Sequence, residues 1–486
     1  MTRRSVTRRQ FLQMGALATG SLVLAACPAA PAEAPAAADT GTADDEVMAE
    51  ALNLTLLSLK GTGWPEFNNL IVDTFMEQTG HDGTLQEAQW PIRETLIPAI
   101  AAGTPPDVVH DMGKMSAALY IEGAYLTLND LVDAATFSMD DFISADAEAL
   151  TFFGDIKKIP FWHNGVPNGF FIYRKDFLDE AGISHPPTHD AFESYTDLWE
   201  WVSKLQVQDA SGNITRWGWD HIGPGWSGFP ALGGILDQGS HWWDEGSSQF
   251  TLNTQELVNT IQSLYMDPVY TYGISYDRAN TPEVPRNERL FEGVVASQHF
   301  TWPILIAYDK DMHDMVELIG FSEMPGMVPG SHEYGYEGTW GAGIVATSPP
   351  EHHEAAFELA TMQLQSEIAQ AIMTIAGPPS ALKSFGDDPW LDELAAKDNS
   401  GAVSVANYRR DIKYPPTFSG WDWMDGDMMH WIEARCGGRY GGEERCGDNG
   451  VGHIFDGKIT AQQLVEEWQA EATRVRAELR EAAGLE

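Results

Sequence analysis

Residues 51–111 read ALNLTLLSLKGTGWPEFNNLIVDTFMEQTGHDGTLQEAQWPIRETLIPAIAAGTPPDVVHD, and the alternation within this stretch decides the fold class. Ala51 to Leu59 passes from alternating to continuous apolar residues, the pattern of a buried strand. Gly61-Thr-Gly63-Trp64-Pro65 then reads as a turn. From Phe67 to Gln78 the spacing becomes helical, with Phe67, Leu70, Ile71 and Phe75 on one face and Gly80 just past the end. Glu94 to Ala102 is a second helix, stopped by Gly103, and Pro105 to Asp111 a short strand with a polar tip. Strand, helix, helix and strand in succession predict an α/β architecture.

The same alternation continues downstream. Asp155 to Pro160 leads into Gly165-Val-Pro-Asn-Gly169, a connector suited to a crossing between two lobes. Phe170 to Tyr173 is strand-like, and Arg174 to Gly182 a short helix ending in glycine. Ala191 to Gln206 is amphipathic, with Leu198, Trp201, Val202 and Leu205 on one stripe. Leu290 to Trp302 enters a strand, Phe321 to Gly330 is a second candidate crossing, and Gly341 to Ala346 is a strand. Glu351 to Ile375 reads as one long helix beginning at an exposed His352-His353 doublet, and Gly377-Pro-Pro-Ser380 as a third crossing. The last helix should start at Thr460, with Gln463 completing a capping box.

Upstream, Thr7-Arg8-Arg9-Gln10-Phe11-Leu12 places paired arginines ahead of an apolar run from Met14 to Ala26. That run is shorter than the roughly 20 residues a membrane helix needs and suits a twin-arginine signal peptide over residues 1–26. Small residues followed at once by Cys27 resemble a lipobox, so Cys27 is the expected lipidation site and membrane anchor. An ordinary signal peptide with an unrelated cysteine is the alternative. Residues 27–50 are mostly Ala, Pro, Thr, Gly and acids, a composition expected to form a flexible tether. After removal of both segments roughly 440 residues remain, too many for one ordinary core.

With 71 acidic against 29 basic residues the net charge is −42, which opposes nucleic acid and anionic lipid surfaces. With Cys27 lipidated, Cys436 and Cys446 form an even pair flanking a Gly-rich segment. A disulfide there would suit an oxidising compartment. A zinc site would have only these two thiols and His453 nearby. Gly223-Pro-Gly-Trp-Ser-Gly228 matches the dinucleotide glycine pattern but lacks the strand before it and the helix after it. Walker, His-Glu-x-x-His and Gly-x-Ser-x-Gly patterns are absent, so no catalytic residue, metal or cofactor is assigned.

Seventeen tryptophans are the other compositional feature, and many fall in expected loops: Trp64, Trp90, Trp162, Trp226, Trp242, Trp243, Trp302, Trp340, Trp421 and Trp423. Flat indoles suit the C–H faces of a sugar, whose hydroxyls want charged or amide partners. Each such ring could instead pack against its own lobe, as expected of Trp201 on its helix. Asp111, at the carboxyl end of its strand, is the polar candidate, with a helix N-cap as its other reading. Asn164, beside the first crossing, could bond a hydroxyl.

Several segments, in order and spacing, resemble the extracellular solute-binding proteins that feed sugar-importing ABC transporters, in the maltose-type branch. They are Ala102-Gly-Thr-Pro-Pro-Asp-Val-Val109, Ile172-Tyr-Arg-Lys-Asp-Phe-Leu-Asp-Glu-Ala-Gly-Ile183 with Pro186-Pro-Thr188, Phe291-Glu-Gly293 leading to Phe300-Thr-Trp302, Met324-Pro-Gly326, Gly341-Ala-Gly-Ile-Val-Ala-Thr-Ser348 and Gly377-Pro-Pro-Ser380. The resemblance implies a two-lobe, type II periplasmic-binding-protein fold with the ligand in the cleft. The N-lobe would comprise 52–165 plus 330–377, and the C-lobe 166–329 plus 378–486. It implies a non-enzymatic, monomeric receptor, lipid-anchored outside the cell, that passes a carbohydrate to ABC permease subunits. It also places Trp302, Trp340 and one of Trp421 or Trp423 near the cleft, which with Trp64, Asp111, Trp162, Asn164 and Trp242 complete the expected ligand-binding set. The same fold could hold a peptide, polyamine or quaternary amine, the last through cation–π contacts. A secreted glycoside hydrolase is the rival from another class.

Overall fold

A computed structural model describes residues 51–61, 63–89, 91–112, 117–163, 170–220, 228–284, 286–300, 313–331, 339–397, 399–413 and 454–485. Asn164, Trp302, Trp421, Trp423, Cys27, Cys436 and Cys446 lie outside the described residues. Ten strands build two five-stranded sheets: β1 Asn53–Leu59, β2 Asp82–Ala88, β3 Val108–Met112, β4 Ile159–Trp162, β5 Phe170–Arg174, β6 Val207–Gln208, β7 Ile214–Asp220, β8 Val295–Phe300, β9 Ile319–Glu323 and β10 Trp340–Ile344. The first sheet runs β2-β1-β3-β10-β4 and the second β9-β5-β8-β7-β6. The α/β, two-lobe expectation holds at this level. Each sheet is mixed: β1 lies parallel to β2 and β3, while β10 lies antiparallel to both β3 and β4.

The helices that matter for the site are α1 Trp64–Thr79, α2 Arg93–Ala101, α3 Ser144–Leu150, α4 Tyr195–Ser203, α5 His353–Thr361, α6 Ser366–Ala376, α7 Asn399–Lys413 and α8 Ala461–Ala482. Helix α1 begins three residues before the periodic stretch, because Pro65 is tolerated in a first turn whose N–H groups lack partners anyway. It buries Trp64, Phe67, Ile71, Val72 and Phe75 and ends on Gly80 at φ 74°. Trp64 therefore opens a helix and does not sit in a loop. Helix α8 starts at Thr460, whose side chain and that of Gln463 cap each other as expected.

Four sequence expectations change. Strand β2 was not anticipated: Asp-Gly-Thr-Leu-Gln-Glu-Ala is polar at most positions because it is an edge strand. Strand β9 runs into the start of the second expected crossing, where the Pro and Gly residues after it obscured a short buried run. The long helix from Glu351 divides into α5, a 3-10 turn and α6 at Gln365, whose backbone is extended (φ −68°, ψ 137°). His352 and His353 are not exposed: His352 Nδ1 meets Asp107 Oδ1 at 2.8 Å, and His353 bonds the Ser348 carbonyl. On α4 the buried indole is Trp199, whose ring N–H donates to the Ser263 carbonyl at 3.0 Å. Trp201 is half-buried against Phe171, Tyr173 and Phe192.

The first sheet has two unlike faces. On one, α1 meets the sheet through Asn68, whose amide oxygen accepts from His110. On the other, Gly341 and Gly343 of β10 leave room for the stem of Lys158. A Cβ at Gly343 would sit 2.8 Å from the Tyr125 ring and 2.9 Å from Lys158 Cγ. Gly343→Ala is expected to destabilise the chain by about 1–3 kcal/mol through overpacking, measured by urea unfolding.

Candidate functional site

Three of the five described candidate residues come together. Trp64 at the start of α1, Trp162 at the end of β4 and Trp340 at the start of β10 meet at the carboxyl edge of the first sheet. Ring centroids lie 4.8 Å apart for Trp64–Trp162, 4.6 Å for Trp64–Trp340 and 5.6 Å for Trp162–Trp340. The planes are tilted by 39–53°, not stacked flat. Pairing places Trp340 opposite both Met112 and Trp162, so the register of β10 puts two of the indoles side by side. This edge is where open α/β sheets present ligand-binding groups.

A buried polar relay supports the cluster from below. Asn68, one turn into α1, donates to the Trp64 carbonyl at 2.7 Å and to Ser58 Oγ at 2.9 Å. Its carbonyl oxygen lies 2.9 Å from His110 Nδ1, so that nitrogen carries the hydrogen and donates. Burial pushes His110 down to about 3, which keeps the ring neutral at any ordinary pH. The relay thus holds the first turn of α1, and with it Trp64, independently of pH.

Asp111, opposite Gly341 and next to the Trp340 pairing, lies at the same edge but is turned away from the indoles. It points to the opposite face of the sheet from His110 and is committed to Lys158, whose Nζ lies 2.9 Å from Oδ2. Tyr125 donates to the same oxygen at 3.2 Å, and the Met112 N–H donates to Oδ1 at 2.8 Å. Both members of the pair are buried, and the Lys158 ammonium lies 4.6 Å from the centre of the Tyr125 ring. The described partners of Asp111 are thus an ammonium, a phenol and a backbone N–H on the face away from His110. Trp242 is also apart: it is buried beside His241 (4.8 Å between rings), next to the two-stranded hairpin 243–250.

One buried group beside the cluster was legible only as a neighbour of the first crossing. His163 follows Trp162 directly and is fully enclosed between two acids. Nδ1 lies 2.7 Å from Asp146 Oδ2, and Nε2 lies 3.4 Å from Asp411 Oδ2. Thr339 donates to the other Asp146 oxygen. Burial opposes the imidazolium, but the Asp146 and Asp411 carboxylates outweigh it and push His163 up to about 9. Its stabilising contribution is therefore complete below about 6.5 and is lost as pH rises through about 9. A loss on the order of 3 kcal/mol between those limits is expected. Denaturant unfolding at a series of pH values checks it, and His163→Gln should flatten the slope.

Among the described residues there is no group of three or more His, Cys, Asp or Glu side chains that could hold a metal ion. Nor is any described helix long and apolar enough to cross a membrane.

A two-sheet α/β body with chain crossings between carboxyl edges defines a ligand-trapping class of fold, and comparison with known proteins agrees. The sequence profile of the bacterial extracellular solute-binding protein family matches residues 71–399, and this chain belongs to that family. Among solved structures it is similar to the ABC substrate-binding protein of Listeria monocytogenes in complex with cycloalternan. Identity there is 16%, covering 90% of this chain and 100% of that one, with a TM-score of 0.62. It is also similar to maltose-bound MalE3 of T. maritima (20% identity, 87% and 99% covered, TM-score 0.61). A third is a Thermotoga lettingae solute-binding protein bound with α-D-tagatose (14% identity, 88% and 100% covered, TM-score 0.66). At these identities the likeness establishes the two-lobe fold.

Proposed function

We propose that this chain is the substrate-binding component of an ABC importer, capturing an uncharged carbohydrate outside the cytoplasm and handing it unaltered to membrane permease subunits. The observation that carries the reading is the meeting of Trp64, Trp162 and Trp340 at one sheet edge. Indole faces bury the C–H surface of a sugar without demanding hydrogen bonds. The sugars in the similar structures favour the same ligand class. Within the cluster, Trp162 is 1% exposed while Trp64 and Trp340 are 5% and 4% exposed. All three rings are buried; Trp162, which also meets Phe161 and Phe67, is read as the backing, and Trp64 and Trp340 as the rings that a guest would meet.

The proposal retains the lobe layout of 52–165 plus 330–377 against 166–329 plus 378–486. It also retains a monomer, twin-arginine export, lipidation at Cys27 and a disulfide between Cys436 and Cys446. Titration of the mature protein with a panel of mono- and oligosaccharides, read by tryptophan fluorescence and calorimetry, tests the ligand class. Binding of at least one sugar or polyol is expected, with the recovered ligand chemically unchanged. Trp64→Ala or Trp340→Ala should weaken that binding about tenfold. Binding of a peptide, polyamine or quaternary amine with no response to any sugar would overturn it.

A further inference from the structure

Helix α7 belongs to neither sheet alone. Its Val405 and Tyr408 pack with Ile143, Ala369 and Met373, beside the first sheet. Its Val403 packs with Phe170, Ile172, Ile319 and Phe321, all from the second sheet. A line of alternating charges follows the same path. Asp146 holds His163, His163 reaches Asp411, and Arg410 Nε lies 3.4 Å from Asp411 Oδ1. Arg410 Nη1 then lies 2.8 Å from Glu323 Oε1, and Glu323 Oε2 is 3.2 Å from His189 Nδ1. Asp146 sits on α3 and His163 just past β4; Asp411 and Arg410 sit on α7; Glu323 is the last residue of β9.

We propose that α7 is a strut shared by the two sheets, and that the charge string through Asp411 and Arg410 is the tie that sets how far the two halves stand apart. The string joins the end of β4 to the end of β9, two of the places where the chain leaves a sheet to cross. Asp146, His163, Asp411 and Glu323 are nearly or fully buried, so their attractions are little screened. A rigid-body change between the sheets must stretch or keep this string, because its links lie on different bodies. Such a tie biases an open–closed equilibrium without touching ligand.

The state of His163 matters to the tie. Facing it are Asp146 from α3, with the Thr339 hydroxyl on the far carboxylate oxygen, and Asp411, Arg410 and Tyr408 from α7. Tyr408, raised well above its ordinary range by burial and the nearby Asp146 and Asp387 charges, stays neutral across the relevant window. Protonated His163 makes the string acid, base, acid, base, acid. Neutral His163 leaves two carboxylates facing one uncharged ring.

Small-angle scattering from the ligand-free mature protein at pH 7 tests the tie. Arg410→Met and Glu323→Gln should each raise the radius of gyration beyond the spread of replicate wild-type samples. Arg410→Lys, which keeps the charge, should restore most of the wild-type value. Wild type taken from pH 7 to pH 10 should shift in the same sense, and His163→Gln should remove that pH response. Circular dichroism confirms that each variant is folded. An unchanged or smaller radius in folded Arg410→Met and Glu323→Gln, whatever happens to the melting temperature, would overturn the tie and leave the string as local packing. No sugar enters the measurement, so its failure and that of the carbohydrate reading are separately visible.

Discussion

Replacing Lys158 by methionine should be among the most destabilising single substitutions in the chain, costing about 3–5 kcal/mol. The side chain is completely buried, and its ammonium is answered by Asp111 at 2.9 Å. Burial pulls the Lys158 amine down and the Asp111 carboxylate holds it up, so the pair survives by mutual dependence. Methionine matches the length of the stem that threads past Gly341 and Gly343, so packing is largely kept and the charge is what is lost. What remains is a buried carboxylate that has lost its one ammonium partner while keeping neutral donors such as the Tyr125 hydroxyl and the Met112 N–H. Removing one partner of a buried pair costs more than the pair is worth, because the survivor is stranded. The companion variant separates these readings. Lys158→Met with Asp111→Asn removes both charges and should recover most of the stability lost by the single change. Urea unfolding of wild type, the two single variants and the double variant measures this, and additive effects in the double variant would contradict it.

That Lys158 matters was hardly visible in the sequence. Asp155-Ile-Lys-Lys-Ile-Pro160 contains two lysines of equal appearance. Lys157 reaches a mostly exposed Asp155 at 3.0 Å, while Lys158 turns into the core. The choice between them is one of strand parity, and parity is set by pairing with β10, some 180 residues later. The pairing of Asp111 with Lys158 was hidden for the same reason. Its place near the end of β3 was legible, but the face it points to depends on register. The three indoles were legible as candidates because tryptophan use is so high, and their convergence needed the crossing of β4 to β10 to be seen. Elements with clean periodicity or caps, such as α1, β1, β5 and α8, could be read directly. Edge strand β2 could not, because a strand exposed along one side carries little apolar pattern.

Trp162→Ala should produce a second large loss, about 3–5 kcal/mol, and should separate two roles within the indole cluster. Trp162 touches Trp64, Trp340, Phe161 and Phe67, with ring centroids between 4.8 and 6.2 Å. Deleting it removes the largest ring from a fully enclosed site and leaves a cavity that β4, pinned by β10 on one side, cannot collapse to fill. Trp64 and Trp340 would lose their common support, so ligand affinity should fall as a consequence of disorder at the sheet edge. Trp162→Phe, which keeps an aromatic wedge, should recover much of the stability and most of the affinity. Trp64→Ala should behave in the opposite proportion: a smaller stability loss, because position 64 is the first residue of α1 and the deletion falls at a helix end, and a direct loss of binding. The Asn68–His110 relay would still hold the first turn of α1 in that variant, since its bond is to the backbone carbonyl at position 64. Denaturant unfolding and ligand titration on the same three proteins decide the matter. If Trp162→Ala left stability within about 1 kcal/mol of wild type, the indole would not be the backing of the cluster, and the division of labour among the three rings would have to be abandoned.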